Sequence, residues 1–297
     1  MEEMKELDEC KLCPHECKVN RNNGEVGRCR AGNKIKVNLI NLHYYEEPCI
    51  SGKNGSGTIF FTGCNMSCKY CQNYKISQEL SGREIEIIEL ADEFIKLQNM
   101  KANNINLVTG CMYVPQVIEA IKIAKKKGLR IPIVYNSSGY ENVKTLKMLD
   151  GYIDIYLPDL KYYYEELAYN LSGIKNYFEN ATKAIKEMYK QVGTPIFDDN
   201  GIIQKGLIIR HLVLPNHIRN SKMVLKWIKE NIDEKVFVSV MAQYFPTYKA
   251  METNDINRKL SKQEYEEIEE YLYYLNIYNG YIQDLEDCEE QYVPKFM

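Results

Sequence analysis

Three cysteines in one short loop, Cys64, Cys68 and Cys71, are the residues best suited to chemistry, and their spacing is C-x3-C-x2-C. A cubane iron–sulfur cluster usually takes one thiolate on each of its four irons, so three local ligands leave one iron open to another molecule. Zinc would require a fourth ligand close by, and the sequence has no histidine between His43 and His211. The spacing therefore favours a [4Fe-4S] cluster over zinc or inert buried thiols.

A second set of cysteines, spaced C-x2-C-x3-C-x11-C, lies near the N-terminus and comprises Cys10, Cys13, Cys17 and Cys29. Four thiolates are enough to complete a metal site, and a metal would stabilise a segment that has few apolar residues of its own. Structural zinc and an auxiliary iron–sulfur cluster both fit this spacing, and His15 is an alternative ligand. Cys49 is a further candidate, whereas Cys288, in an acidic tail, is not expected to bind.

The composition is that of a globular protein, with 297 residues, 45% of them hydrophobic, and a formal net charge of −3. This small charge argues against broad electrostatic binding of nucleic acid or anionic membrane. The N-terminus lacks the apolar core of a secretory signal, and no apolar run approaches the roughly 20 residues needed to span a bilayer. We therefore expect a cytoplasmic protein with no nucleic-acid or membrane partner, in which clustered thiols bind metal rather than form disulfides.

Short apolar runs alternate with helical patterns along most of the chain. Six runs predict buried parallel strands at 58–61, 105–109, 131–135, 153–157, 207–214 and 236–241, and an earlier strand is predicted at 35–42. Six helical patterns occupy the gaps, and two of them follow apparent capping boxes, at 81–84 and 261–264. His211, on the fifth of these strands, is expected to be a hydrogen-bonded core residue.

Six strand–helix units predict an α/β fold with a parallel sheet. They are too few for a closed eight-stranded barrel, so a partial (β/α)6 barrel is favoured over a flat doubly wound sheet. We predict three parts: a small Cys-rich metal-binding module at 1–56, the partial barrel at 57–260, and a C-terminal helix and tail at 261–297 that pack on the barrel.

Polar or reactive residues lie on or directly after the predicted strands. The carboxyl ends of parallel strands meet at one edge of a sheet, where α/β proteins place their sites. The candidates at this edge are Cys64, Thr109, Gly110, Asn136, Ser138, Asp159, Lys161 and Arg210.

The cysteine loop resembles the signature of the radical S-adenosylmethionine (SAM) superfamily, which has an aromatic residue, here Tyr70, before the last cysteine. The flanking stretch FFTGCNMSCKYCQN at 60–73 is similar to homologues of the pyruvate formate-lyase activating enzyme, and so are the blocks at 135–140, 154–161 and 210–215. The segment Cys-x2-Cys-Pro-His-x-Cys at 10–17 is similar to the N-terminal segment of mostly uncharacterised members of that branch.

The resemblance implies a [4Fe-4S] cluster on Cys64, Cys68 and Cys71 that binds SAM at the fourth iron. It also implies reductive cleavage of SAM to methionine and a 5′-deoxyadenosyl radical, which abstracts hydrogen from a substrate. An electron donor such as flavodoxin or ferredoxin would reduce the cluster.

Further residues correspond to family positions one by one. Arg210 matches an arginine that pairs with the methionine carboxylate, for which a guanidinium is well suited, although a structural ion pair is the alternative. Asp159 and Lys161 match an Asp-x-Lys pair, in which the aspartate helps to hold a monovalent cation. Asn136 replaces an aspartate and, with Ser138, is expected to contact the cofactor.

The second predicted strand departs from the family pattern. Thr109-Gly110-Cys111 stands where a Gly-Gly-Glu or Thr-Pro-Thr-His type of motif usually holds the amino group of SAM. Thr109 and Gly110 still offer a hydroxyl and backbone groups, so we expect them to contact the cofactor. Cys111 is expected to be a buried packing residue rather than a reactive thiol.

Two classes of function remain open on the sequence alone. The first is a radical SAM enzyme, acting on a protein glycine as in activation of glycyl-radical enzymes, or on another substrate. The second is a scaffold without catalysis, in which both cysteine sets bind iron–sulfur clusters or zinc, or a protein-interaction module.

Overall fold

The computed structural model describes residues 4–285, Pro294 and Phe296. The strands are β1 (Ile35–His43), β2 (Ser56–Phe61), β3 (Arg83–Ile85), β4 (Ile105–Val108), β5 (Ile133–Ser137), β6 (Ile155–Pro158), β7 (Ile196–Phe197), β8 (Ile203–Leu212), β9 (Phe237–Met241) and β10 (Gly280–Ile282). The helices are α1 (Pro48–Ser51), α2 (Tyr74–Ser77), α3 (Ile87–Asn99), α4 (Val114–Lys126), α5 (Val143–Met148), α6 (Glu165–Ser172), α7 (Tyr177–Val192), α8 (Ile218–Asn231) and α9 (Lys262–Tyr274).

The strands form one sheet in the order β10-β9-β8-β6-β5-β4-β2-β1-β3, with β7 beside β8. All neighbours from β2 to β10 along this order are parallel, whereas β1 is antiparallel to both β2 and β3. Because β3 and β10 are the two ends of the order, the sheet of the described residues is open. The predicted α/β partial barrel is confirmed, and its six predicted strands correspond to β2, β4, β5, β6, β8 and β9.

Both faces of the central strands are buried, which explains why they appear in the sequence as continuous apolar runs. In β5, Ile133 and Tyr135 face the main core, which includes the helices, while Val134 faces a smaller apolar cluster that contains Cys49 and Ile50. His211 lies in β8, and its two ring nitrogens are hydrogen-bonded to the Leu160 carbonyl and the Ser221 hydroxyl.

One of the two apparent capping boxes is real. Ser261 caps α9, and Glu264 completes the box. The expectation of a helix start at 81–84 is wrong, because residues 83–85 form β3, which pairs with β1. Gly82 has a φ of +148°, and a Cβ there would lie 2.6 Å from the carbonyl oxygen of Val37, so the chain passes too close to β1 to begin a helix. Helix α3 begins at Ile87 instead.

The N-terminal segment joins the same sheet and core as the rest of the chain. Strand β1 lies along the whole of β2, and Ala31, Ile35 and Val37 pack in the main core. The division into 1–56, 57–260 and 261–297 remains a prediction. Cys288 lies outside the described residues. Among the residues that the structure describes, no helix has the length and apolar character to cross a membrane.

Candidate metal centre and ligand cavity

The three-cysteine loop begins where β2 ends and is held in place by the end of α6. The backbone N–H groups of Ser67 and Lys69 donate to the carbonyls of Ser172 and Leu171, at 3.1 and 2.8 Å. These carbonyls belong to the last turn of α6, where helical partners are lacking. The helix thereby fixes the backbone between the first and last cysteines of the loop.

Each loop thiol has a hydrogen-bonding partner, and all three thiols line one cavity of about 510 Å³. The Met66 N–H donates to Cys64 Sγ at 3.4 Å, and the Ser172 hydroxyl donates to Cys68 Sγ at 3.0 Å. Cys71 Sγ lies 3.3 Å from the Ser77 hydroxyl.

Burial raises the pKa of all three thiols, that of Cys71 to about 11. They therefore hold protons unless a metal displaces them.

The donor set of the loop fits an iron–sulfur cluster. Three soft thiol ligands face one cavity, and hydrogen-bond donors to the sulfurs are a known means of tuning such clusters. No three His, Cys, Asp or Glu side chains within the described part of the chain are arranged to hold a single metal ion. A cubane cluster does not need that arrangement, because each thiolate binds a different iron.

A partly buried ion pair lies on the cavity wall at the end of β6. Lys161 Nζ contacts Asp159 Oδ2 at 2.5 Å, and both side chains line the cavity. Burial lowers the pKa of Lys161, but Asp159 and the nearby Cys68 thiol raise it more, and the net shift is upward. Lys161 is therefore a fixed positive charge beside the cysteine loop.

Arg210 also lines the cavity, but its guanidinium is already paired. Its Nε donates to Glu47 Oε1 at 2.7 Å, its Nη2 donates to Glu47 Oε2 at 2.5 Å, and Nη2 also contacts Glu46. Burial raises the pKa of Glu47, but Arg210 lowers it more, and the net shift is downward. The structural ion pair, named above as the alternative to a ligand contact, is present.

The other predicted contacts divide into two groups. Thr109, Asn136 and Ser138 line the cavity at the ends of β4 and β5. Gly110 instead packs against the ring of Phe61, where an added Cβ would lie 3.3 Å away. A side chain at this position would require the ring to shift by a few tenths of an ångström.

The N-terminal thiols lie close to one another. Burial raises the pKa of Cys13 and Cys29, and neighbouring thiols, among them Cys17, raise it further. The Arg28 N–H donates to Cys17 Sγ at 3.4 Å, and Arg21 Nη1 lies 3.9 Å from the sulfur of Cys10. All nine described cysteines are free thiols.

The N-terminal segment contacts the cysteine loop directly. His15 Nε2 donates to the carbonyl of Asn65 at 2.8 Å, which leaves Nδ1 as the remaining ring nitrogen for a metal. A Cβ on Gly63 would lie 2.7 Å from the carbonyl of Cys29, so a glycine is required for this approach. The two cysteine sets are thus adjacent in space.

Cys111 and Cys49 are both buried but lie in different surroundings. Burial raises the pKa of the Cys111 thiol, and Glu141, Cys13 and Cys64 raise it further, so Cys111 lies near both cysteine sets. Cys49 packs in the smaller apolar cluster, away from the main core that contains Cys29.

Sequence reasoning missed Glu46, Glu47, Tyr162 and Ser172. Two adjacent acidic residues shortly after an apolar strand, directly before Pro48, were a usable signal for the first two. Ser172 carried no comparable signal, because the helix that places it, α6, was not predicted.

Comparison with known proteins agrees with this geometry. The family model of the radical SAM superfamily matches residues 58–198. An uncharacterized protein of Methanocaldococcus jannaschii is 37% identical over 281 residues, which cover 91% of this chain and 75% of that protein. The chain belongs to the radical SAM superfamily, whose members typically use a [4Fe-4S] cluster and SAM for radical chemistry.

Solved structures support the same fold at low sequence identity. A cysteine-to-serine variant of spore photoproduct lyase is 13% identical, with a TM-score of 0.52 over 80% of this chain and 76% of that one. The FeFe-hydrogenase maturase from Carboxydothermus hydrogenoformans is 17% identical, with a TM-score of 0.51 over 77% of this chain. This chain spans 54% of the length of that maturase.

Proposed function

We propose that this protein is a radical SAM enzyme that binds a [4Fe-4S] cluster through Cys64, Cys68 and Cys71 and SAM in the adjoining cavity. The observation that carries the proposal is that the three thiols, each with a hydrogen-bonding partner, face one cavity at the carboxyl ends of parallel strands. When bound, the cluster supplies the electron for reductive cleavage of SAM to a 5′-deoxyadenosyl radical.

The cavity wall supplies neutral polar groups and positive charges for SAM. Thr109, Asn136 and Ser138 offer polar contacts, and Lys161 holds a positive charge near the loop. Arg210 remains a proposed contact for the methionine carboxylate, and such a contact would compete with the two glutamates for the guanidinium.

Anaerobic reconstitution tests the proposal. We expect about four irons and four sulfides bound at the loop, and 5′-deoxyadenosine after addition of dithionite and SAM. Cys64→Ala, Cys68→Ala and Cys71→Ala should each abolish cleavage, whereas Cys49→Ala, which removes one buried thiol outside the loop, should retain both cluster and product. Zinc alone at the loop, with no 5′-deoxyadenosine, would instead support the scaffold.

We also propose that Cys10, Cys13, Cys17 and Cys29 bind a separate centre, either zinc or an auxiliary cluster. The proximity of these thiols and the contact of the N-terminal segment with the loop support this assignment. The four sulfurs are not arranged around a single point in the described structure, so binding of one zinc ion would require them to move together. Metal analysis separates the two cases, since one cluster with zinc gives about four irons and two clusters give about eight. If this centre is zinc, Cys13→Ala should lower thermal stability, and a fully stable variant would contradict it.

The substrate proposed here is a glycine in a protein chain, with reduced flavodoxin or ferredoxin as electron donor. The sheet of the described residues does not close between its end strands, β3 and β10, and this supports entry of a polypeptide loop. A glycine-deuterated protein substrate should transfer deuterium into 5′-deoxyadenosine. Deuterium transfer only from a small molecule would replace this substrate class with another.

A further inference from the structure

A chain of buried hydroxyl groups leads from the cavity to one sulfur of the loop. Tyr70 Oη lies 2.5 Å from Tyr162 Oη, which lies 2.6 Å from Ser172 Oγ. Ser172 Oγ donates to Cys68 Sγ at 3.0 Å. Tyr162 and Ser172 are 0% exposed and Tyr70 is 5% exposed, so water does not compete for these bonds.

The direction of the hydrogen bonds follows from proton counting. A metal-bound Cys68 is a thiolate without a proton, so the Ser172 hydroxyl must donate to it. A hydroxyl has one proton, so Ser172 must then accept from Tyr162, and Tyr162 must accept from Tyr70. All three hydroxyls therefore point their protons toward the sulfur.

Two structural features hold these three hydroxyl groups in place. Ser172 is anchored through its backbone, because its carbonyl accepts the Ser67 N–H. Tyr162 packs edge-on against Tyr177, and Tyr70 packs against Tyr244 with 6.0 Å between ring centres. None of these side chains needs to move for the hydroxyls to stay aligned.

Hydrogen bonds to the sulfurs are one of the features that set the reduction potential of an iron–sulfur cluster. A donor stabilises the reduced, more negative state, and successive donors in a chain polarise one another. We propose that Tyr70, Tyr162 and Ser172 are positioning residues that raise the reduction potential of the cluster through Cys68. This inference rests on the proposed cluster at the loop and adds a means by which the fold controls its potential.

A redox titration of the reconstituted full-length protein tests the proposal. The midpoint potential is measured by electron paramagnetic resonance, using the signal that changes when SAM is added. Ser172→Ala should shift the potential to more negative values. Tyr162→Phe and Tyr70→Phe, which keep the ring packing, should give smaller shifts in the same direction, in that order.

Tyr156→Phe is the matched control, because it removes a buried tyrosine hydroxyl that donates to Gln191 at 2.6 Å, away from Cys68. Its potential should equal that of the wild type. If Ser172→Ala fails to assemble a cluster, Tyr162→Phe decides the question.

The possible outcomes separate this inference from the proposed function. Wild-type protein without iron at the loop would overturn both. A normal iron content with unchanged potentials in Tyr162→Phe and Ser172→Ala would overturn the inference alone. An equal shift in Tyr156→Phe would also overturn it, since the effect would then not depend on the chain to Cys68.

Discussion

Substituting Glu47 by glutamine should reveal how much the buried ion pair at the cavity stabilises the fold. The side chains of Arg210, Glu46 and Glu47 are 12%, 8% and 5% exposed, so the three charges are largely removed from water. Glu47→Gln keeps the shape of the side chain and removes the charge that engages two nitrogens of the guanidinium.

The expected loss is large because the remaining charge stays buried. Removing one partner of a buried ion pair costs about 3–5 kcal/mol, and the pairing of Arg210 with Glu46 should keep the loss near the lower end, about 3 kcal/mol. The unfolding entropy of a chain of 297 residues converts this loss into a decrease in Tm of about 5 °C.

Calorimetric unfolding of the reconstituted protein at pH 7 measures this difference. Glu179→Gln is the control, because Glu179 pairs with Lys183 on the surface, where such a pair contributes less than about 1 kcal/mol. A decrease in Tm no larger than that of the control would refute the argument for the buried pair.

The pH dependence of this difference has a defined sign. Because the pKa of Glu47 is lowered in the folded state, its charge stabilises the fold at all pH values above the ordinary value of 4.5. The free energy of unfolding of the wild type should therefore exceed that of Glu47→Gln by a constant amount between pH 7 and 5, and the difference should become smaller below pH 4.5. An advantage that grows as the pH falls would contradict it.

Two further variants test the core and the end of a strand. Burial lowers the pKa of His211 to about 4, so the unfolded chain takes up a proton below pH 6.5 and the folded one does not. The free energy of unfolding of the wild type should therefore fall by about 3 kcal/mol between pH 6.5 and 4, and this fall should be absent in His211→Gln. Chemical denaturation at each pH measures it, and the same pH dependence in both proteins would contradict the prediction. Gly139→Ala places a Cβ 2.2 Å from the carbonyl of Asp159, whereas Gly151→Ala has a similar φ and open space. Gly151→Ala should lower the free energy of unfolding by about 1–2 kcal/mol, and Gly139→Ala should lower it clearly more. Equal losses in the same assay would show that the backbone at Gly139 shifts to relieve the contact.

Much of the sheet could be predicted because its strands are buried on both faces. A strand such as β5 then appears as a continuous apolar run, and the helices between strands show their own period. Strand β10 has only three residues, and α6 has eight, so neither pattern is long enough to stand out. The apparent capping box at 81–84 failed because a local motif does not reveal that β1 passes alongside it.

The part of the site that lies within one short loop could be predicted from the sequence. Cys64, Cys68 and Cys71 lie in one loop, so their sequence spacing was sufficient to bring them to one cavity. The partners of Arg210 come from more than 160 positions away, at Glu47 and Glu46, and only the pairing of strands brings them together. The same holds for Ser172 beside Cys68, which depends on where α6 ends.

The antiparallel pairing of β1 with β2 determines the effect of deleting the N-terminal segment. All six residues of β2 are buried, and β1 covers the flank that β4 leaves vacant. Deleting the chain before Ser56 would expose a row of backbone amides and carbonyls along an apolar strand, which is a template for intermolecular association. Such a truncation should yield aggregates rather than a minimal catalytic unit. The N-terminal segment looks like a separate module in the sequence, but its strand β1 covers the edge of β2.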